Sequence, residues 1–250
     1  MTKQASVQKI ARYGKDNVHK SPNWIKIFDL IVPIKFENRI QVVGKLIGKG
    51  QRILDIGAGD CQLLKKYARN KFDELVAADL EKNLMNDFIR WSKKNKVISK
   101  TFVGDFIHFK SKEKFDCVCA LAYLEHVVSP FENLKKISSI LKMGGSLIIE
   151  VPNVGYLPHR LSLLTGKFPV TAEITNCIPG VDDVHLRFYT LNSLKKILNY
   201  CGFEMVLSTN SGRLANIRQI NPILWSDLIV KAKKVKSCPK LNPIRASVKL

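Results

Sequence analysis

Residues 55–60, Asp-Ile-Gly-Ala-Gly-Asp, set an acid at each end of a turn built on Gly57 and Gly59, directly after the apolar run RILDI (52–56). Glycine removes Cβ and tolerates left-handed angles, so a ligand can approach this backbone closely. The helical pattern that follows, DCQLLKKYARN (60–70), brings its unpaired N–H groups to the same place. Two phosphate-binding readings fail. A dinucleotide fingerprint needs a third glycine where Gln62 stands, and no G-x-x-x-x-G-K-[ST] run follows. The carboxylates of Asp55 and Asp60 would repel a pyrophosphate and suit a cation instead. Asp79 closes ELVAAD twenty residues past Gly59, where it can accept both hydroxyls of a ribose. An adenosine ligand that carries positive charge fits this set, and S-adenosylmethionine, with its sulfonium and α-ammonium, is such a ligand.

A second group of reactive side chains lies further along. Glu125-His126 follows FDCVCALAYL (115–124), and His185 stands in DDVHLRFYT. Imidazole titrates near neutrality, so His126 and His185 are the candidate catalytic bases for a hydroxyl acceptor. One carboxylate and two imidazoles are also a recognised ligand set for a divalent metal. Cys117 and Cys119, two apart in a strand pattern, share one face and read as core. Tyr156, Phe168, Phe188 and Tyr189 either line an acceptor pocket or pack the segment around them.

These residues need a frame. A helix is expected over 34–48, then strands and helices alternate: strand 52–56, helix 60–70, strand 74–80, helix 84–95, strand 100–106, strand 115–124, helix 131–142, strand 146–151. Ser129, Pro130 and Glu132 mark the start of the helix at 131, and Gly144-Gly145 its stop. Helix 190–202 and strands 203–208 and 226–233 complete the pattern. Near-continuous apolar strands separated by helices imply a doubly wound α/β sheet covered on both faces. Residues 152–189 are rich in proline, glycine and turn residues without a clean period. An insertion at the carboxyl end of a strand reads as a lid that contacts substrate.

The expected organisation is a basic N-terminal extension (1–33), one domain (34–233) with the lid at 152–189, and a basic tail (234–250). The net charge of +20 sits mostly at the ends, since residues 1–50 hold ten Lys/Arg against three acids and residues 231–250 hold seven against none. Such flanks attract a polyanion, RNA or an anionic membrane surface, and equally serve solubility. No apolar run approaches the roughly 18 residues of a membrane span. The first residues lack the apolar stretch of a secretory signal. The six cysteines form no C-x-x-C pair, so a cytoplasmic protein with reduced thiols is expected.

Residues about 50–208 resemble the class I S-adenosylmethionine-dependent methyltransferases, on the strength of LDIGAGD, ELVAAD and VGDF. The stretch 115–153 is similar to the small-molecule branch that includes ubiquinone-type O-methyltransferases. The resemblance implies a Rossmann-like sheet of seven strands whose last strand is antiparallel. It implies that Asp55, Gly57 and Gly59 hold the methionine end of the cofactor and Asp79 the ribose. Leu80 would lie beside the adenine, Asp105 and Phe106 would bracket it, and Leu121 would lie beneath the cofactor. Many relatives have glycine where Cys61 stands, so a thiol is expected to crowd the amino-acid end. The small-RNA 2′-O-methyltransferases resemble the pattern of Glu125, His126 and His185. They also need a glutamate three residues before the Glu-His pair, where this chain has Ala122. No metal ligands are therefore assigned, and a divalent metal is not expected.

The resulting expectation is methyl transfer from S-adenosyl-L-methionine to a small-molecule acceptor, at oxygen first, with nitrogen or carbon left open. Two alternatives stay open: an RNA 2′-O-methyltransferase guided by the basic ends, and a cofactor-binding module without turnover.

Overall fold

The computed structural model describes residues 37–171, 184–212 and 215–239. The expected N-terminal extension, the last part of the basic tail, Cys177 and Asp182-Asp183 lie outside them. Helix α1 (Arg39–Leu46) leads into strand β1 (Gly50–Ile56), a short helix α2 with π geometry over Leu64–Ala68, β2 (Phe72–Asp79), α3 (Lys82–Lys94) and β3 (Ile98–Val103). After β4 (Phe115–Leu121) come α4 (Pro130–Ile140), β5 (Leu141–Pro152), α5 (Leu157–Leu164), α6 (Leu191–Tyr200), β6 (Phe203–Thr209), α7 (Ala215–Arg218) and β7 (Asp227–Lys234).

The seven strands form one sheet in the order β3-β2-β1-β4-β5-β7-β6. The first five pair in parallel, and β7 runs antiparallel to both β5 and β6. Successive side chains along a strand face opposite sides, and the apolar strands divide their residues accordingly. Leu54, Val118, Leu147 and Val230 pack with Leu134 of α4 and Leu194 of α6. Ile53, Leu75, Cys119 and Ile148 pack on the other face with Val43 of α1, Leu64 of α2 and Phe88 of α3. Both faces are covered, as the unbroken apolar strands imply. Strand order reverses between β1 and β4, and in open sheets ligands bind at the carboxyl ends of the strands beside such a reversal. The turn after β1 and the loop after β4 meet there.

Several boundaries differ from expectation for identifiable reasons. The helix expected over 131–142 ends at Ile140, and β5 starts at once. Its last carbonyls do not need a glycine cap, because the buried Lys234 ammonium donates to Ser138 O and Leu141 O. The strand expected over 100–106 stops at Val103, after which Asp105 caps a 3-10 turn, Phe106–His108. The strand expected over 115–124 stops at Leu121, where Ala122 turns to a φ of +48°. The lid segment contains a helix, α5, that buries none of its residues, so nothing imposed an apolar period on its sequence. Among the described residues no helix is long and apolar enough to cross a membrane. The five described cysteines are free.

Candidate active site

The turn after β1 is left-handed at both glycines, Gly57 at φ +66° and Gly59 at φ +52°. It is tied to β2 by Gly57 N–H and Ala58 N–H, both donating to Ala78 O at 2.9 and 3.2 Å. A Cβ placed on Gly59 would meet nothing within 4 Å, so this side of the turn is open to a ligand. Asp79 is held where the sequence places it. Its Oδ2 accepts Gly59 N–H at 2.8 Å and its Oδ1 accepts Glu81 N–H at 2.9 Å. Each carboxylate oxygen has a second lone pair, so a diol can still be accepted.

Asp55 is buried, and its pKa is pushed up to about 8, first by burial and then by the charges of Asp79 and Asp60. Three carboxylates crowded around an open glycine turn fit a ligand that brings positive charge, as a sulfonium with an α-ammonium does. Leu80 is exposed beside Asp79. Asp105 accepts Ile107 N–H at 3.1 Å and fixes the turn that carries Phe106. The Phe106 ring is buried against Phe109 and Tyr123, so it backs the cleft from within the core. Leu121 is the last residue of β4 and nearly buried. Tyr123, which the sequence did not single out, lies 3.4 Å from where a Cβ on Gly57 would be.

Cys61 departs from expectation. Its backbone is left-handed at φ +59°, and its side chain is fully buried in the core between the sheet and α1 to α3. Burial first, then Asp55, pushes its thiol well above the usual range. The sulfur is turned inward and does not crowd the cleft.

On the other side of the reversal the residues of the second group converge. Donor atoms of Glu125, His126 and His185 all lie within 4.8 Å of one another. His126 Nε2 is 4.0 Å from Glu125 Oε1, and the two imidazole centroids are 4.9 Å apart. His126 Nδ1 lies 3.3 Å from the Val184 carbonyl. A carbonyl only accepts, so in the neutral imidazole this contact places the proton on Nδ1 and leaves the lone pair on Nε2. Thr171 Oγ1 sits 2.7 Å from His185 Nδ1 and fixes that ring.

Backbone bonds stitch the two segments together. Leu186 N–H and Arg187 N–H donate to Glu125 O at 2.9 and 3.0 Å, and the Tyr189 hydroxyl donates to Leu124 O at 3.2 Å. Glu125 is 1% exposed, and among the described residues its Oε2 has no hydrogen-bond partner. Burial first, then the charge of Glu150, pushes its pKa up to about 8. Of the four aromatics, Tyr189 is core, whereas Phe168 and Phe188 form an exposed edge-to-face pair with centroids 5.3 Å apart.

An open hollow of about 570 Å³ lies at the opposite, N-terminal ends of the strands, lined by Gln51, Arg52, Glu74 and Lys142 among others. Several of its charges are already paired, Arg52 with Glu74 and Glu113, and Lys142 with the neighbouring Asp116. The chemistry therefore belongs at the carboxyl ends.

A doubly wound sheet with an acidic glycine turn at its strand reversal is the setting in which a nucleotide-like ligand binds, at the carboxyl ends of the strands. Residues 28–208 match the family model described as "Methyltransferase domain", and the chain belongs to that family. It carries a methyltransferase domain on a sheet of class I architecture.

Among curated proteins the chain is similar to the mitochondrial ubiquinone biosynthesis O-methyltransferase of Dictyostelium discoideum, at 26% identity over 48% of this chain and 41% of that protein. It is also similar to the ubiquinone biosynthesis O-methyltransferase of Roseobacter denitrificans, at 25% identity over 71% of this chain and 67% of that one. The match thus spans less than half of the Dictyostelium protein. Among solved structures, magnesium protoporphyrin IX methyltransferase from Synechocystis PCC 6803 with bound SAH superposes with a TM-score of 0.58 at 14% identity, covering 92% of this chain and 95% of that one. An S-adenosylmethionine-dependent methyltransferase from Clostridium acetobutylicum superposes with a TM-score of 0.58 at 14% identity, covering 91% of this chain and 98% of that one. These likenesses show the fold.

Proposed function

We propose that the protein methylates an oxygen of a small-molecule acceptor presented to Glu125, His126 and His185. The observation that carries the reading is the convergence of these three side chains, within 4.8 Å of one another, where the loop after β4 meets the segment 184–189. Its similarity to ubiquinone biosynthesis O-methyltransferases supports it. When bound, S-adenosylmethionine supplies a methyl group already activated by its sulfonium. The protein's task is alignment and proton removal. Asp55, Gly57 and Gly59 would hold the methionine end and Asp79 the ribose, with Leu80 and Asp105 on the adenine side and the buried Phe106 and Leu121 backing the cleft. His126 Nε2 takes the proton of the acceptor hydroxyl, which frees its oxygen for the methyl group that the bound cofactor would supply. His185, steadied by Thr171, orients the acceptor from the other side.

A second reading of the same group is favoured by one observation, the partnerless buried Oε2 of Glu125. A divalent cation there would be held by Glu125, His126 and His185, and would polarise the acceptor hydroxyl. Both imidazoles direct Nδ1 to an outer partner, Val184 O or Thr171 Oγ1, which is how metal-binding histidines are usually oriented.

Labelled S-adenosylmethionine incubated with a cell extract tests both readings. Wild type should label a small-molecule fraction and Asp79→Ala should not. Labelling that survives exhaustive chelation fits a histidine base, whereas labelling abolished by chelation and restored by one divalent metal fits the cation. Label found in macromolecules alone would overturn the small-molecule reading.

A further inference from the structure

The loop that carries Tyr123, Glu125 and His126 begins at a disfavoured residue. β4 ends at Leu121, and Ala122 adopts a φ of +48°, a region that L residues with a Cβ rarely enter. Such conformations persist where the surroundings over-determine them, and they cluster at functional sites. Here the surroundings are Glu150. Ala122 N–H donates both to the Glu150 carbonyl, at 3.0 Å, and to its side-chain Oε2, at 3.1 Å. The carbonyl alone would satisfy that N–H, so the carboxylate adds direction rather than satisfaction.

Glu150 is the one acid in the apolar run SLIIEV, and it is 4% exposed. Its counter-charge is Arg39, whose Nη1 lies 3.4 Å from the same Oε2. Arg39 is the first residue of α1, where Asn38 and Gln41 form a capping box that fixes the start of the helix. Glu37, just before it, bridges to Gly212 after β6. A chain of bonds therefore runs from α1 through β5 into the acceptor loop, and none of them involves the glycine turn. The pair is one-sided, with Glu150 buried and Arg39 exposed. A half-exposed ion pair adds little stability by itself, so its main effect here is to orient the Glu150 carboxylate.

We infer that Glu150 is a positioning residue, anchored by Arg39, that holds Ala122 left-handed and so aims Glu125 and His126 at the acceptor. The inference rests on the reading of that loop as the acceptor side, and it makes the seating of α1 a requirement for an ordered acceptor site. Glu150 touches neither acceptor nor cofactor and acts only through the loop.

Hydrogen exchange read by mass spectrometry on the full chain tests this without knowledge of the acceptor. Glu150→Leu should speed exchange across 122–128 by about 10-fold or more, the scale of one lost charged hydrogen bond. Exchange at 57–60 and S-adenosylmethionine affinity by calorimetry should stay within about 2-fold, because those groups share no partner with Glu150. Glu150→Gln, which keeps an acceptor for Ala122 N–H, should retain most of the protection. Ala122→Gly added to Glu150→Leu should restore extract labelling, since glycine enters the left-handed region freely. Arg39→Ala should loosen the same loop to a smaller degree.

Unchanged protection in Glu150→Leu, or a loss spread evenly over the sheet, would overturn the inference. So would a Glu150→Gln variant as loose as Glu150→Leu. Failure of wild type to label any acceptor would instead count against the proposed function, and the exchange result would still decide the role of Glu150.

Discussion

The two sides of the strand reversal each hold a buried carboxyl whose pKa is pushed up to about 8, Asp55 and Glu125, yet their surroundings differ. Around Asp55 the other nearby charges that act on it are also negative, Asp79 and Asp60. Around Glu125 the repulsion from Glu150 is partly offset by Arg39, and two imidazoles lie close. The first site is an unbalanced charge that a cationic ligand corrects. On the proposed reading, the second supplies its own base and awaits an acceptor. They also differ in construction. The cofactor turn is made by residues 55–60 with Asp79 from the adjacent strand. The acceptor group is assembled from α1, the loop after β4, the end of β5, and the segment from Val184 to Tyr189. A compact local site tolerates variation elsewhere, whereas a dispersed one depends on several elements being seated together.

The largest expected effect separates the two sides by rate against affinity. His126→Ala should lower methyl transfer by about 10² to 10⁴, the range for loss of a general base. S-adenosylmethionine affinity by calorimetry should be unchanged in that variant. Glu125→Gln should lower the rate in the same direction by a smaller factor. A parallel loss of affinity in either would mean that the two sides are not separable. Next in size, Asp79→Ala should weaken S-adenosylmethionine by about 10- to 100-fold, the loss of a charged hydrogen-bonding pair to a ribose. It should leave hydrogen exchange across 122–128 as in wild type.

A subtler test uses pH. Both raised carboxyls hold a proton in the folded chain that the unfolded chain has released, in the window from about 4 up to about 8. The native state then binds more protons than the unfolded state, so stability should fall as pH rises through that window and level off above it. Asp55→Asn and Glu125→Gln should each remove part of this slope in thermal melts. Saturating S-adenosylmethionine should flatten only the Asp55 part, because its positive charge favours the ionised carboxylate. A slope that Glu125→Gln alone abolishes, with Asp55→Asn without effect, would move the electrostatic tension wholly to the acceptor side.

How much of this was legible before any coordinates follows the same division. The sheet was readable because its central strands are short apolar runs ended by glycine, aspartate or turn residues, and the cofactor turn because Asp55, Gly57, Gly59 and Asp60 are neighbours in sequence. Glu125 and His126 were visible as residue types. Their approach to His185 depends on Leu186 and Arg187 bonding back to Glu125 O across some sixty residues, which no local pattern encodes. Glu150 left one trace, a lone acid in an apolar strand, and Arg39 none. Helix α5 was invisible because none of its residues is buried, so burial selected no period in its sequence. The early end of α4 depended on Lys234, some ninety residues away.

The smallest expected effect concerns Cys61, which belongs to the cofactor side by position and to the core by orientation. Its left-handed φ of +59° favours glycine by about 1 to 2 kcal/mol. Against that, Cys61→Gly removes a fully buried side chain and adds about 0.5 to 1 kcal/mol of chain entropy in the unfolded state. The opposed contributions should leave stability within about 1 kcal/mol of wild type in denaturant titrations. S-adenosylmethionine affinity should change by less than about 2-fold, because the sulfur faces α1 to α3 and lies 3.7 Å from Gly59 O on the inner side of the turn. A tenfold gain in affinity on removing the thiol would show that it reaches the cleft after all. The turn would then be a site whose charge invites the cofactor and whose shape resists it, as the acceptor side does not.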